Sequence, residues 1–388
     1  MILRNLIGHT ISQIIMPSQI IHASIRPPHS HANKKKTVGD LRIYQYPDKN
    51  FNINADTKII IHAFGNGDCA EIHDSELQEL TNKYANKNVV VVGMNFRNVS
   101  NSRGKPSSEK DWIEDVVSIV DHYRGKGAPL KNILLKGHSL GGAIMTMAAA
   151  KIFADELAKL KQTTPNPSKE AINNCAPRLF NNRSFSTLAD EVMISILGKT
   201  GTGAIAAVFV GLMSLAFLTI ANAALLGVGL FTVNWIFPSL AEFIMRPALD
   251  LTLWLTFGRM DALSAYKSLP EEVKDCVIAK DDLVIRERAT IHYRLKNHRS
   301  QQKQLLRKGI QEARDDAEKT PLKKRLRDIK DSKLCFEVNG GLSIGAHNHP
   351  LEMLHTYHKL RGGAHSQRRQ ISGAQVMENK CKRLLKIS

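Results

Sequence analysis

"ILLKGHSLGGAIMTMAAAKIF", residues 133–153, begins as a continuous apolar run, passes through Gly137-His138-Ser139-Leu140-Gly141, and continues into a small-residue, helix-prone segment. That order predicts a strand, a sharp turn and a helix packed closely on a sheet. In such a turn a serine holds strained backbone angles and presents its hydroxyl. The flanking glycines are needed because side chains there would collide with strand and helix. Five residues are a weak signal alone, so the rest of the chain must supply partners for Ser139.

Outward from the turn, short apolar runs alternate with helical stretches. Residues 41–47, 58–64, 88–96, 132–137, 178–185, 276–280 and 333–338 read as strands, several of them apolar without interruption. Strands buried on both faces have that look. Helices are expected at about 71–86, 108–125, 142–161, 284–296 and 350–361, with a polar surface loop over 160–174. Strands separated by helices predict right-handed crossovers and an α/β, mostly parallel, doubly wound sheet.

A serine hydroxyl becomes a nucleophile only beside a base, and the base needs a carboxylate to orient it. The order serine, acid, histidine is the one this architecture uses. "VIAKDDLVI" (277–285) offers Asp281 and Asp282 after an apolar run, and "CFEVNGGLSIGAHNHP" (335–350) offers His347 and His349 after the last strand. His62 reads as a core residue, His138 as packing, and His349, His355 and His358 as helix-end or solvent residues. The chain contains no H-E-x-x-H metal spacing and no G-x-x-x-x-G-K-[ST] phosphate loop. No metal and no cofactor are expected.

With these segments in order, the sequence resembles the α/β-hydrolase superfamily, particularly serine hydrolases of the ABHD and prolyl-oligopeptidase-like kind, over about 55–186 and 273–360. It is also similar to lipase-like effector proteins of intracellular bacteria, which combine such a core with apolar insertions. "IIIHAFGNGDCAE" resembles the family's strand and HGN oxyanion loop, with Phe64 where histidine is usual. "NFRNVSNSRGKPSSEKDWIEDVVSIVDHY" is similar to its D-Y-R-G-x-G-x-S-x-G-x-P stretch and following helix. "DDLVI" resembles the D-x-h-V-P acid loop, with Ile285 in the proline's place, and "GAHNHP" the G-x-H-N histidine loop. The resemblance implies Ser139 as nucleophile, His347 as base, and Asp281 as acid with Asp282 as the alternative. It further implies Leu140 and Asn66 as donors of backbone N–H groups to the oxyanion.

Residues 200–241 are forty-two in number and contain no Asp, Glu, Lys, Arg or His. About 20 apolar residues span a bilayer, so membrane association is expected here. Ser139 precedes this block while Asp281 and His347 follow it. If the three meet in one domain, the chain crosses a membrane an even number of times or not at all. A helical hairpin turning near Ala221–Asn222 and a monotopic insertion both satisfy this. The substrate expected is a membrane lipid or another acylated molecule.

The net charge is +18, concentrated between His292 and Lys333 with 14 Lys/Arg against 6 Asp/Glu. Such charge suits an anionic membrane surface, and it favours a cytoplasmic catalytic face. The basic runs lack interleaved aromatics as stacking platforms, so nucleic acid is not expected. Five scattered cysteines without a C-x-x-C pair suggest neither a disulfide framework nor a zinc site. The first residues show no continuous apolar core after a charged start, so no cleavable secretory signal is recognised. The parts expected are an N-terminal arm (1–38), core segments at 39–186, 271–296 and 333–362, and an apolar lid or membrane insertion (187–270). A basic helical insertion (297–332) and a basic C-terminal tail (363–388) complete the chain.

Overall fold

The computed structural model describes residues 8–12, 35–47, 50–197, 246–247, 249–251, 253–279, 282, 285, 287–313, 315–331, 336–338, 355–359 and 368–387. Its centre is an eight-stranded sheet of β1 (Lys35–Val38), β2 (Leu41–Tyr46), β3 (Lys58–Ala63), β4 (Val89–Met94), β5 (Ile133–His138), β6 (Arg178–Asn182), β7 (Lys274–Ala279) and β8 (Phe336–Val338). The spatial order is β1-β2-β4-β3-β5-β6-β7-β8. From β4 to β8 every pairing is parallel, whereas β1 pairs β2 and β2 pairs β4 antiparallel.

The helices in chain order are α1 (Asp74–Lys83), α2 (Glu109–Gly125), α3 (Ser139–Thr163), α4 (Lys169–Asn174), α5 (Leu188–Leu197), α6 (Ala262–Ser268), α7 (Ile291–Glu312), α8 (Asp316–Asp331) and α9 (Gly373–Leu385). Both faces of the sheet are covered, which is why its strands are apolar throughout. Alternate residues define two cores. Ile59, Ile61, Val90, Val92, Ile133 and Leu135 meet α2 and α3 on one face. On the other, Ile60, Val89, Val91 and Leu134 meet Leu77 and Leu80 of α1 and Met377, Cys381, Leu384 and Leu385 of α9.

Several expectations need correction. The stretch 350–361, read as a helix, contains a strand, β9 (His355–Lys359), paired antiparallel with β10 (Arg368–Ser372). Thr356 and Tyr357, both β-formers, favour that ribbon over a helix. The loop expected over 160–174 is mostly helical. α3 runs on to Thr163, and α4 starts where the Ser168 hydroxyl accepts the Ala171 N–H. Residues 373–385, within the stretch read as a basic tail, form core helix α9. Its apolar residues at 377, 381, 384 and 385 recur at helical spacing, and Lys380 and Arg383 pair with Asp275 of β7 at 2.7 and 2.9 Å. The N-terminal arm contributes β1 to the sheet. Cys276 is disulfide-bonded, contrary to the reading of isolated cysteines, while Cys69, Cys175 and Cys381 are free thiols.

The apolar block 200–241 lies outside the described residues. Among the described residues no helix is long and apolar enough to cross a membrane. The basic insertion is a hairpin of α7 and α8 between β7 and β8, and α7 begins before residue 297.

Candidate active site

The site is built where β5 stops and α3 starts. Ser139 is the first residue of α3 and has φ +53°. That left-handed conformation costs an L-residue about 1–2 kcal/mol, so surrounding packing must hold it. Three glycines allow the packing. A Cβ on Gly137 would lie 2.5 Å from the Gly141 carbonyl oxygen, and one on Gly142 would lie 2.9 Å from Ser184 Cβ. A Cβ on Gly141 would overlap the Phe64 carbonyl oxygen and lie 2.8 Å from that of Ala63. Asn181 of β6 donates to the Gly142 carbonyl at 3.0 Å and to Thr146 Oγ1 at 2.8 Å, fixing the helix's first turn to the sheet. Gly141→Ala is expected to destabilise the fold by about 3 kcal/mol, since the overlapping atoms are backbone and cannot rotate away. Chemical denaturation checks this.

The loop after β3 lies against Ser139. A Cβ built on Gly65 would approach Ser139 Cβ to 3.2 Å and Ser139 Oγ to 3.7 Å. Asn66, next in the chain, is exposed at this edge, while Leu140 is buried at the start of α3. Ser139, Leu140 and the Gly65-Asn66 loop are thus brought together. The strand order, the antiparallel second strand and this elbow after β5 decide the architecture. The fold is that of an α/β hydrolase.

No family model and no curated protein match the sequence of this hydrolase-fold chain. Among solved structures it is similar to the thermophilic esterase Est2 of Thermogutta terrifontis, at 12% identity over 82% of this chain and 86% of that one, with a TM-score of 0.40. An α/β hydrolase of Vibrio vulnificus aligns at 15% identity over 72% and 75%, with a TM-score of 0.36. Esterase PF2001 of Pyrococcus furiosus aligns at 13% over 68% and 76%, also at 0.36. The fold assignment rests on the sheet and the elbow, not on these likenesses.

Of the remaining residues read from the sequence, Asp281 and His347 lie outside the described residues. Asp282 is buried, and its Oδ1 accepts the Ile285 N–H at 2.9 Å, which ties together the loop after β7. His62 is buried in β3, as expected of a core residue. Among the described residues no group of three or more His, Cys, Asp or Glu is placed to hold a metal ion.

The structure adds a charged cluster behind the Gly65-Asn66 loop that sequence reasoning missed. Lys136 is only 2% exposed in β5, three residues before Ser139, and sits opposite His62 of β3. Its ammonium donates to Glu76 of α1 at 3.1 Å and lies 3.5 Å from His62 Nδ1. His73 lies 3.2 Å from Glu76 and 3.4 Å from Asp68, two residues beyond Asn66. Phe64 stacks between the histidines, with ring centroids 4.4 Å from each. Its place in the motif is therefore filled by a ring that joins two imidazoles. Glu71 braces the same segment from inside, accepting from Tyr44 at 2.9 Å, Ser100 at 2.7 Å and Asn95 at 2.7 Å.

The electrostatics follow from these partners. Burial and the Lys136 charge hold His62 well below the usual histidine value, hence neutral. Burial pushes His73 down, but Asp68 and Glu76 more than offset this and raise it to about 9. Burial would raise the Glu76 carboxyl, yet Lys136 and His73 carry it well below the carboxylate range. His73 is therefore a cation gripping two carboxylates and an aromatic face. Because its folded value is raised above 6.5, that stabilisation is complete below 6.5 and is lost as pH climbs through about 9. Across that window the wild type is expected to lose more thermal stability than His73→Gln does. Parallel melting curves for the two proteins would count against this grip.

Proposed function

We propose that the chain is a membrane-associated serine hydrolase that cleaves carboxylic esters or thioesters of lipids or other acylated molecules. The observation that carries the reading is Ser139 itself, held at φ +53° on a strand-to-helix turn with the Gly65-Asn66 loop against it. A structural hydroxyl has no need of that strain, whereas a presented nucleophile does.

In this reading Ser139 Oγ attacks the acyl carbonyl as His347 takes its proton. Asp281 orients the imidazole and stabilises its charged form. The backbone N–H groups of Leu140 and Asn66 receive the oxyanion, and the loss of one such donor costs about 10²–10³ in rate. The tetrahedral intermediate expels alcohol or thiol, which leaves with the proton from His347, and water then hydrolyses the acyl-enzyme by the same route. Asp282 is the alternative acid. Asp281 is preferred on the resemblance of "DDLVI" to the family's acid loop. No cofactor enters these steps.

The uncharged stretch 200–241 supports a membrane location, and the basic charge after it supports a cytoplasmic catalytic face. A greasy segment between nucleophile and acid in the chain also suits an acyl substrate drawn from lipid. The test is labelling of the detergent-solubilised full chain with a fluorophosphonate probe, beside variants at Ser139, His347 and His349. The expected adduct forms on Ser139, disappears in Ser139→Ala, and forms far more slowly in His347→Gln than in His349→Gln. A folded protein that takes no adduct would instead be an inactive hydrolase-like interaction protein.

A further inference from the structure

Two surfaces apart from the catalytic centre leave the core at one point. Residues 249–251 and 253–256 are helical and Leu253 is buried against the core, yet Leu251, Trp254 and Leu255 are 51%, 54% and 47% exposed. Their spacing of three and four residues places them on one face. Arg246, five residues before Leu251, lies 2.7 Å from Asp190, a carboxylate buried in α5. The same Asp190 oxygen accepts from Arg294 in the first turn of α7 at 2.6 Å. One buried carboxylate therefore ties the root of an apolar face to the root of the basic hairpin.

The hairpin's charge points outward. Leu322 of α8 lies against Gly309 of α7 along the seam. Lys323, Lys324 and Arg327 are exposed on α8, and Arg307 is likewise exposed on α7. Trp254 carries the Arg259 guanidinium 5.9 Å from its ring centroid, so a cation also borders the apolar face.

We propose that Leu251, Trp254 and Leu255, together with the exposed cations of α7 and α8, form a docking surface for an anionic lipid bilayer. This rests on the membrane location proposed above, and adds the lipid's charge and the surface that reads it. Leucine and tryptophan side chains enter the boundary between headgroups and acyl chains, while lysine and arginine meet the anionic headgroups. An acidic protein would match the cations but not an apolar face that lies ten residues beyond a long uncharged stretch. Nucleic acid is disfavoured because Tyr293 is the one aromatic residue in 291–331.

The test is sedimentation of the detergent-solubilised full chain with vesicles of phosphatidylcholine alone or mixed with phosphatidylserine, at low and high salt. Stronger, salt-sensitive binding to the mixed vesicles is expected. Lys323→Glu/Lys324→Glu/Arg327→Glu should lower it by on the order of 100-fold, and Leu251→Ser/Trp254→Ser/Leu255→Ser should weaken binding to both vesicle types. Fluorophosphonate labelling of Ser139 in each variant reports an intact fold. Equal binding to both vesicles, unmoved by charge reversal, overturns the inference but leaves the membrane location standing. Binding to neither vesicle overturns both. Charge reversals that abolish RNA binding but not vesicle binding would make the hairpin a nucleic-acid surface, and the inference would fail.

Discussion

Ser139→Ala is expected to abolish the fluorophosphonate adduct and to reduce ester hydrolysis by about 10⁴–10⁶. The size follows from what is removed. Without Oγ no acyl-enzyme forms, and what remains is the stabilisation that oxyanion donors give to direct attack by water. Stability should barely change. Alanine replaces serine at the same φ of +53°, so the backbone strain is common to both proteins. Loss of activity at an unchanged melting temperature separates a removed nucleophile from a disturbed elbow. An adduct that persists in Ser139→Ala would place the reactive group elsewhere and sink the mechanism.

The elbow was readable because its constraints are local. Gly137, Gly141 and Gly142 all lie within three residues of the serine, so the signal is contiguous in the chain, and the contacts they permit are with the first turn of α3, the end of β3 and its loop, β5, β6 and the turn after β6. The strands were readable for a related reason, since burial on both faces leaves apolar runs that need no partner to be recognised. Elements whose identity depends on distant partners were not. Residues 373–385 are basic enough to pass for a solvated tail, and only Asp275 on β7 shows where Lys380 and Arg383 are spent. In 355–359 a strand was taken for a helix because its antiparallel partner lies about ten residues further on.

Within the site, the missed residues share one signal. Lys136 interrupts an otherwise apolar strand, "ILLKGH", and a lysine buried between strands requires a carboxylate. The sequence does not say which one. Glu76 is selected by the packing of α1 against β4, where Gly93 leaves room for Leu77: a Cβ there would come within 2.5 Å of the leucine's Cδ1. His73 and Asp68 then follow, because they belong to the same loop and helix start.

Glu76→Ala is expected to cost about 3–5 kcal/mol, far more than the half-exposed position of its side chain suggests. An exposed ion pair contributes less than about 1 kcal/mol, but the partner here is not exposed. Removing Glu76 leaves the Lys136 ammonium buried, with the neutral His62 3.5 Å away. An ammonium stranded without its carboxylate between strands is what makes the loss of one partner so costly. Lys136→Met is the contrasting case. It puts an apolar chain of similar length in the same slot and leaves Glu76 with water and His73, so it should cost little. The double variant should resemble Lys136→Met, the mark of strong coupling in a double-mutant cycle. Denaturant titrations of the three proteins decide it, and additive losses of similar size would show that the pair is not coupled through a buried charge. The labelling rate of Ser139 should fall with Glu76→Ala and recover in the double variant. Lys136 lies three residues before Ser139, and Glu76 sits on the helix that follows the Asn66 loop.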